Sequence, residues 1–274
     1  MSVPMNGGYY RAAPQIDFGW LSQAWELFKQ QSGAWIGAVL LFLLVGLVID
    51  VPLAFVTGYA RQLMDIVGAF QGHAPPPPEN PLANYGKNLL FGIGSTVVNS
   101  ILMGGLYRMA VRQGRGETIN ATYVFSALDR SPALIVLTLI TQFLTVIGTY
   151  ICILPGFIVA GLLMFAPLFV VDRRLGPIQA ISESFNLLKS QWLMAAGFYF
   201  VAALLGGVGA LLCGVGLVAT YPIWFGSVAL GYLAFTQPTQ EQPFPGYGAP
   251  QPGVWPPPPG SPSPPPYGGP PSGF

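Results

Sequence analysis

Between Arg130 and Asp172 the chain carries no charged residue. A single helix over that run would be about 60 Å long at roughly 1.5 Å per residue, twice the ~30 Å hydrocarbon core of a bilayer. The run must therefore turn back on itself. Leu154-Pro155-Gly156 supplies the turn, with Pro155 suited to the first position of a new helix. The result is a hairpin of two membrane spans. A second charge-free run, Ser190 to Gln240, reverses in the same way at a cluster that includes Gly206, Gly207, Gly214 and Gly216.

Composition points the same way. Only 8% of the residues are charged and 52% are hydrophobic, where a soluble protein carries about 25% charge. Such a chain cannot cover itself with polar surface in water. The apolar block Ala34 to Val56 is too long for a cleavable signal peptide, whose core is about 7 to 15 residues, and it reads as a retained span. The fold class expected is all-α, an integral membrane bundle of six transmembrane helices within residues 17–236. The spans fall near 34–56, 88–107, 133–153, 155–171, 192–213 and 217–235. Residues 1–16 read as a flexible arm, and the outer loop 57–87, with its HAPPPPENP run, as exposed and poorly ordered. Residues 237–274 read as a disordered Pro/Gly/Tyr-rich tail.

Phe18, Leu21, Trp25 and Phe28 recur at helical spacing opposite Gln23, Glu26 and Gln30, which predicts an amphipathic helix over 17–31 lying in the membrane interface, with Trp20 and Trp25 at headgroup depth. The segment from Ile181, ISESFNLLKSQ, aligns with LSQAWELFKQQ from Leu21 without gaps. A weaker copy holds Phe125, Leu128 and Arg130. Three units of interfacial helix plus two-span hairpin are the expectation. Charge placement then sets orientation. Arg11, Lys29, Arg108, Arg112, Arg115, Arg130, Arg173, Arg174 and Lys189 fall on one side of the spans, and only Arg61 and Lys87 on the other. By the positive-inside rule both termini are cytoplasmic.

Few residues here suit chemistry. The single histidine, His73, and the two cysteines cannot build a zinc or haem site, and no cofactor is expected. No nucleophile elbow, phosphate-binding loop or zinc helix is present, so the chain reads as noncatalytic. A net charge of +1 gives no case for nucleic-acid binding. Inside the spans, Gly92, Thr96, Ser100 and Gly104 form a ridge of small residues four apart, suited to close helix approach. On span three, Thr138, Thr141, Gln142, Thr145 and Thr149 make a polar stripe. It is either packing glue or, with Asn99, the lining of a polar path. Asp50 reads as a solvated or locally paired acid near the outer boundary. Cys152 and Cys213 both fall at the outer ends of spans, where they either form a disulfide or stay as buried thiols.

The run PGFIVAGLLMFAPLFVVDRRLGPIQAISESFNLLKSQW resembles the signature half of a widespread group of uncharacterised bacterial multi-pass membrane proteins, related to the membrane domain found with some glycerophosphodiester phosphodiesterases. Pro155-Gly156, a span ending near Ala166-Pro167, a polar boundary and an Ala/Ser-rich helix with aromatic and basic residues at its end carry the likeness. The resemblance implies a bacterial cytoplasmic (inner) membrane and a bundle of about six spans, and it lends no catalytic residue. The functional expectation is a noncatalytic scaffold or accessory subunit that recruits partners or organises lipid. The alternative is a transporter or channel component for a neutral or amphipathic solute. Membrane lipids are the expected partners. The tail, with Tyr247, Trp255 and Tyr267 among stiff proline runs, is either a protein-docking arm or a plain solubilising segment, and oligomerisation stays open.

Overall fold

A computed structural model describes residues 14–72, 80–151, 153–211 and 216–237. Cys152, Cys213, His73, the proline run and the tail lie outside them, and with them the expected disulfide and docking arm. Among the described residues the protein is all-α. Six segments are long and apolar enough to cross a membrane. In order they are α2 (Ser32–Thr57), α4 (Pro81–Gly114), α5 (Ser131–Ile151), α6 (Ile153–Leu162) with α7 (Ala166–Arg173), α9 (Trp192–Leu211) and α10 (Leu217–Thr236). A shorter helix, α1 (Gly19–Gln30), precedes them, and α3 (Tyr59–Phe70) and α8 (Pro177–Leu188) lie between them, with 3-10 turns at Ala121–Phe125, Leu128–Arg130 and Lys189–Gln191.

The two elements at the centre are α4 and α10. Helix α4 packs on α2, α5, α7 and α10, and α10 also packs on α1 and α9. Leu106 and Met109 of α4, Phe225 and Tyr232 of α10, and Phe165, Leu168 and Phe169 around α7 form the buried core. Outward-facing positions such as Leu47, Val56, Phe143 and Leu193 are apolar and exposed, the surface a bilayer requires. Polar ties lock the basic end of the bundle. Arg115 donates two hydrogen bonds to Asp172, at 2.7 and 2.8 Å, and the Tyr232 hydroxyl donates to the same carboxylate at 2.9 Å, joining α4, α7 and α10. That carboxylate pushes Arg115 further up from the ordinary arginine value. Buried Gln113 accepts from the Trp35 indole at 2.7 Å and donates to the Leu27 carbonyl at 2.6 Å, fastening α4 to α1 and α2.

Several expectations need correction. The outer loop contains α3, and span two begins at Pro81, seven residues earlier than expected, because the Asn80 side chain caps the Leu82 amide and Pro81 fits an N-terminal position that needs no donor. Tyr59 of α3 stacks on Phe91 of α4, with centroids 4.3 Å apart. Helix α5 runs to Ile151 and α6 starts at Ile153, so Pro155 and Gly156, expected to make the turn, lie within the first turn of α6. Trp20 does not face the surrounding lipid: it is buried against Phe198 and Phe235, and α1 packs its Trp20–Ala24 face on α10, leaving Trp25 exposed. Before span three the chain forms 3-10 turns where an interfacial helix was expected, whereas α8 does precede span five. Of the N-terminal arm, residues 14–16 are fixed: Gln191 accepts from the Ile16 amide and donates to the Pro14 carbonyl.

The fourth span is broken. Between α6 and α7 the helix is interrupted at residues 163–165, just before Pro167, which lacks an amide proton and cannot continue the ladder above it. Breaking a helix inside a membrane frees backbone groups that lipid cannot satisfy. Ser184 of α8, fully buried, repairs this. Its hydroxyl donates to the Leu162 carbonyl at 2.7 Å and accepts from the Phe165 amide at 3.3 Å.

Candidate functional site: a polar pocket inside the bundle

The break in span four faces the polar stripe of α5. Between them is a cavity of about 210 Å³ lined by Thr138, Thr141, Gln142 and Thr145 from α5, Ala160, Leu163, Met164 and Pro167 from the broken span, and Tyr107, Tyr199 and Trp224 from α4, α9 and α10. Helical spacing explains why four stripe residues share one wall, since positions three and four apart stack on one face. Gln142 lies about 16 Å along α5 from Ser131. The pocket is thus near mid-span.

The polar groups of this wall differ in what they bond. Thr141 satisfies itself on the Leu137 and Thr138 carbonyls at 3.0 and 3.1 Å, as a threonine in an apolar helix commonly does. Thr149 bonds the Thr145 carbonyl and does not line the cavity. Neither Thr138, Gln142 nor Thr145 has a side-chain hydrogen bond to another described residue, and Gln142 is exposed, so the pocket opens at the bundle surface. The opposite wall is aromatic: Tyr199 meets Trp224 edge-on with centroids 5.2 Å apart, and Tyr107 meets Phe225 in the same manner at 4.6 Å. Among the described residues, no charged one lines the cavity.

No family model matches the chain, and no solved structure matches it. The pocket's capabilities follow from its own side chains. Hydroxyls and a carboxamide beside aromatic faces can hydrogen-bond an uncharged polar group and cover an apolar one. The described residues of its walls include no carboxylate, imidazole, thiol, amine or guanidinium.

The structure separates residues that spacing had grouped. Thr138, Gln142 and Thr145 meet in the pocket, whereas Asn99 stands elsewhere, between α4 and α2. Its amide donates to Ser95 and, at 3.4 Å, to Asp50. Asp50 is therefore paired with Asn99 through one oxygen, and its Oδ1 is buried without a protein hydrogen bond. Of the ridge, Ser100 is buried and Gly104 abuts Leu134 and Ala127, while Gly92 faces open space and Thr96 is half-buried. The closest backbone approach on α4 is instead at Gly105, against the Val124 carbonyl. The aromatic wall was not foreseen, because Tyr107, Tyr199 and Trp224 come from three helices distant in sequence and each looks like an ordinary apolar-span aromatic.

An apolar groove of about 390 Å³ adjoins the pocket at Leu163, bounded by Leu144, Val159 and Leu162 on the hairpin and Ile178, Ile181 and Phe185 on α8. Polar pocket and apolar groove thus meet at one residue.

Proposed function

We propose that the protein is a noncatalytic membrane subunit that holds an uncharged polar or amphipathic molecule, a lipid or lipid-like solute, in the pocket between α5 and the broken fourth span. The observation that carries this reading is the set of unpartnered polar side chains at Thr138, Gln142 and Thr145. In a membrane interior such groups need partners, and a bound polar group or water supplies them. The adjoining groove gives an acyl chain a place to lie. A second reading, passage of the same class of solute across the bilayer, draws support from the interrupted span, since discontinuous helices beside a midplane cavity recur in transporters.

The setting we propose is a bacterial cytoplasmic membrane, with the arginine-rich end of the bundle and both termini inside. Charge placement supports the orientation, and the likeness of the 155–192 region to bacterial multi-pass proteins supports the source. The proline-rich segment after Gln237 serves in this reading as the arm through which an accessory subunit meets a protein partner.

Replacing Thr138 and Thr145 by Val and Gln142 by Leu removes the pocket's bonding groups while keeping its volume close to constant. At roughly 1 kcal/mol for each lost hydrogen bond, ligand affinity should fall about tenfold to a hundredfold. Native mass spectrometry of protein released from nanodiscs reads this directly. The expected result is a small molecule retained by the wild type and lost from the triple variant, with the two ligand-free, delipidated proteins equally stable. Identical adducts on both proteins would defeat the proposal.

A further inference from the structure

We propose a second site, for a phosphate group, in the cavity of about 250 Å³ at the basic end, walled by Arg108, Arg112, Arg115 and Arg174 with Glu117 and Asp172. It is separate from the pocket above and does not depend on it. At this end Arg108, Arg112, Arg115, Arg130, Arg173 and Arg174 outnumber the acids Glu117, Asp129 and Asp172. The excess is not spread evenly. Arg115 is closed on Asp172, and Arg108 is committed to Asp129 at 3.0 Å, to the Val171 carbonyl at 3.3 Å and to the Ser126 carbonyl.

Among the described residues, Arg112 and Arg174 are left without a hydrogen-bonded anion. The nearest carboxylate to Arg112 is Glu117 at 3.8 Å, and Arg112 otherwise bonds the Tyr123 hydroxyl at 2.8 Å. Arg174 reaches only Asp129, at 3.9 Å, a carboxylate already shared with Arg108 and Arg130. Two planar guanidinium forks on one cavity, held beside two arginines that are already paired with carboxylates, suit the geometry of a phosphate, and the four arginines of the wall exceed its two acids.

The backbone adds a second observation. Arg174 closes α7 in the left-handed region, at φ 58°, the one non-glycine with positive φ among the described residues. The Leu175 amide bonds back to the Phe169 carbonyl at 3.2 Å, the closure for which glycine is the usual residue. An arginine there strains the backbone, because its Cβ crowds the following carbonyl oxygen. Orientation alone would need only a positive charge somewhere near the span end. It would need neither a cavity nor a strained arginine on its wall.

A phosphate can come from a lipid headgroup or from solution, and the test separates them. Full-length, delipidated protein in phosphate-free dodecyl maltoside is melted alone, with phosphatidylglycerol, with a phosphate-free galactolipid at equal mole fraction, and with inorganic phosphate. A wild-type rise of about 3 °C or more with phosphatidylglycerol but not galactolipid assigns the site to a headgroup; a rise with inorganic phosphate assigns it to a soluble phosphate. Either rise should vanish in Arg112→Gln/Arg174→Gly, whose glycine relieves the strain and keeps the unliganded protein folded. Arg174→Gly alone should halve the rise or more. No rise with either phosphate source, or an equal rise in the double variant, overturns the proposal.

Discussion

Gly105→Ala should abolish recovery of folded protein, while Gly92→Ala on the same helix leaves it intact. A Cβ at residue 105 would stand 1.9 Å from the Val124 carbonyl oxygen and 2.4 Å from its carbon, both backbone atoms of the 3-10 turn that packs on α4. No rotamer relieves that overlap. The turn must move as a unit, and the turn also carries Tyr123, which bonds Arg112. In lipid there is no hydrophobic drive to pull separated helices back together, so close approach itself supplies the association energy. Overpacking of this kind costs at least about 3 kcal/mol, a large part of a typical folding free energy. At Gly92 an added Cβ meets nothing within 4 Å. That alanine should change stability by no more than about 0.5 kcal/mol. Thermal scans of both variants followed by size-exclusion chromatography in detergent provide the comparison; equal behaviour would show that α4 does not approach the turn at Gly105.

Ser184→Ala should be the most damaging loss of a single hydroxyl. It removes the donor to the Leu162 carbonyl and the acceptor for the Phe165 amide, both at the interruption of span four. Each orphaned buried group costs about 1 to 3 kcal/mol, so the pair should lower stability by about 3 kcal/mol and loosen the pocket wall at Leu163 and Met164. Ser227 is the control. It is equally buried, but its hydroxyl bonds only the Trp224 carbonyl within its own helix. Ser227→Ala should cost about 1 kcal/mol or less. Comparable losses in the two variants would mean that the break is not held by Ser184.

The spans were legible because their signal is crude and physical: charge cannot be carried into hydrocarbon at low cost, so the charge-free runs mark membrane helices. The stripe on α5 was legible because one helix displays its own periodicity. What lay beyond reach was every relation between helices. Asn99 was grouped with the stripe although it bonds Asp50 on α2, since depth in a span says nothing about which neighbour a side chain faces. The break in span four is apolar on both sides and silent in hydropathy; Pro167 was its only trace. The Ser184 hydroxyl looked like one of several small residues in an Ala/Ser-rich helix. Helix α3 did leave a trace, in Leu63, Val67 and Phe70 at helical spacing, which the adjacent proline run masked.

If the polar pocket between α5 and the broken span holds water against Thr138, Gln142 and Thr145, cysteine accessibility shows it most directly. In protein with Cys152 and Cys213 changed to Ala, reconstituted in sealed vesicles, Thr138→Cys places a thiol on the pocket wall and Leu139→Cys places one on the exposed apolar face beside it. A small, charged, membrane-impermeant thiol reagent reacts only with thiols that water can reach and ionise. Modification is expected at residue 138 and none at residue 139. Silence at both positions in folded protein, or equal reaction at both, would contradict it.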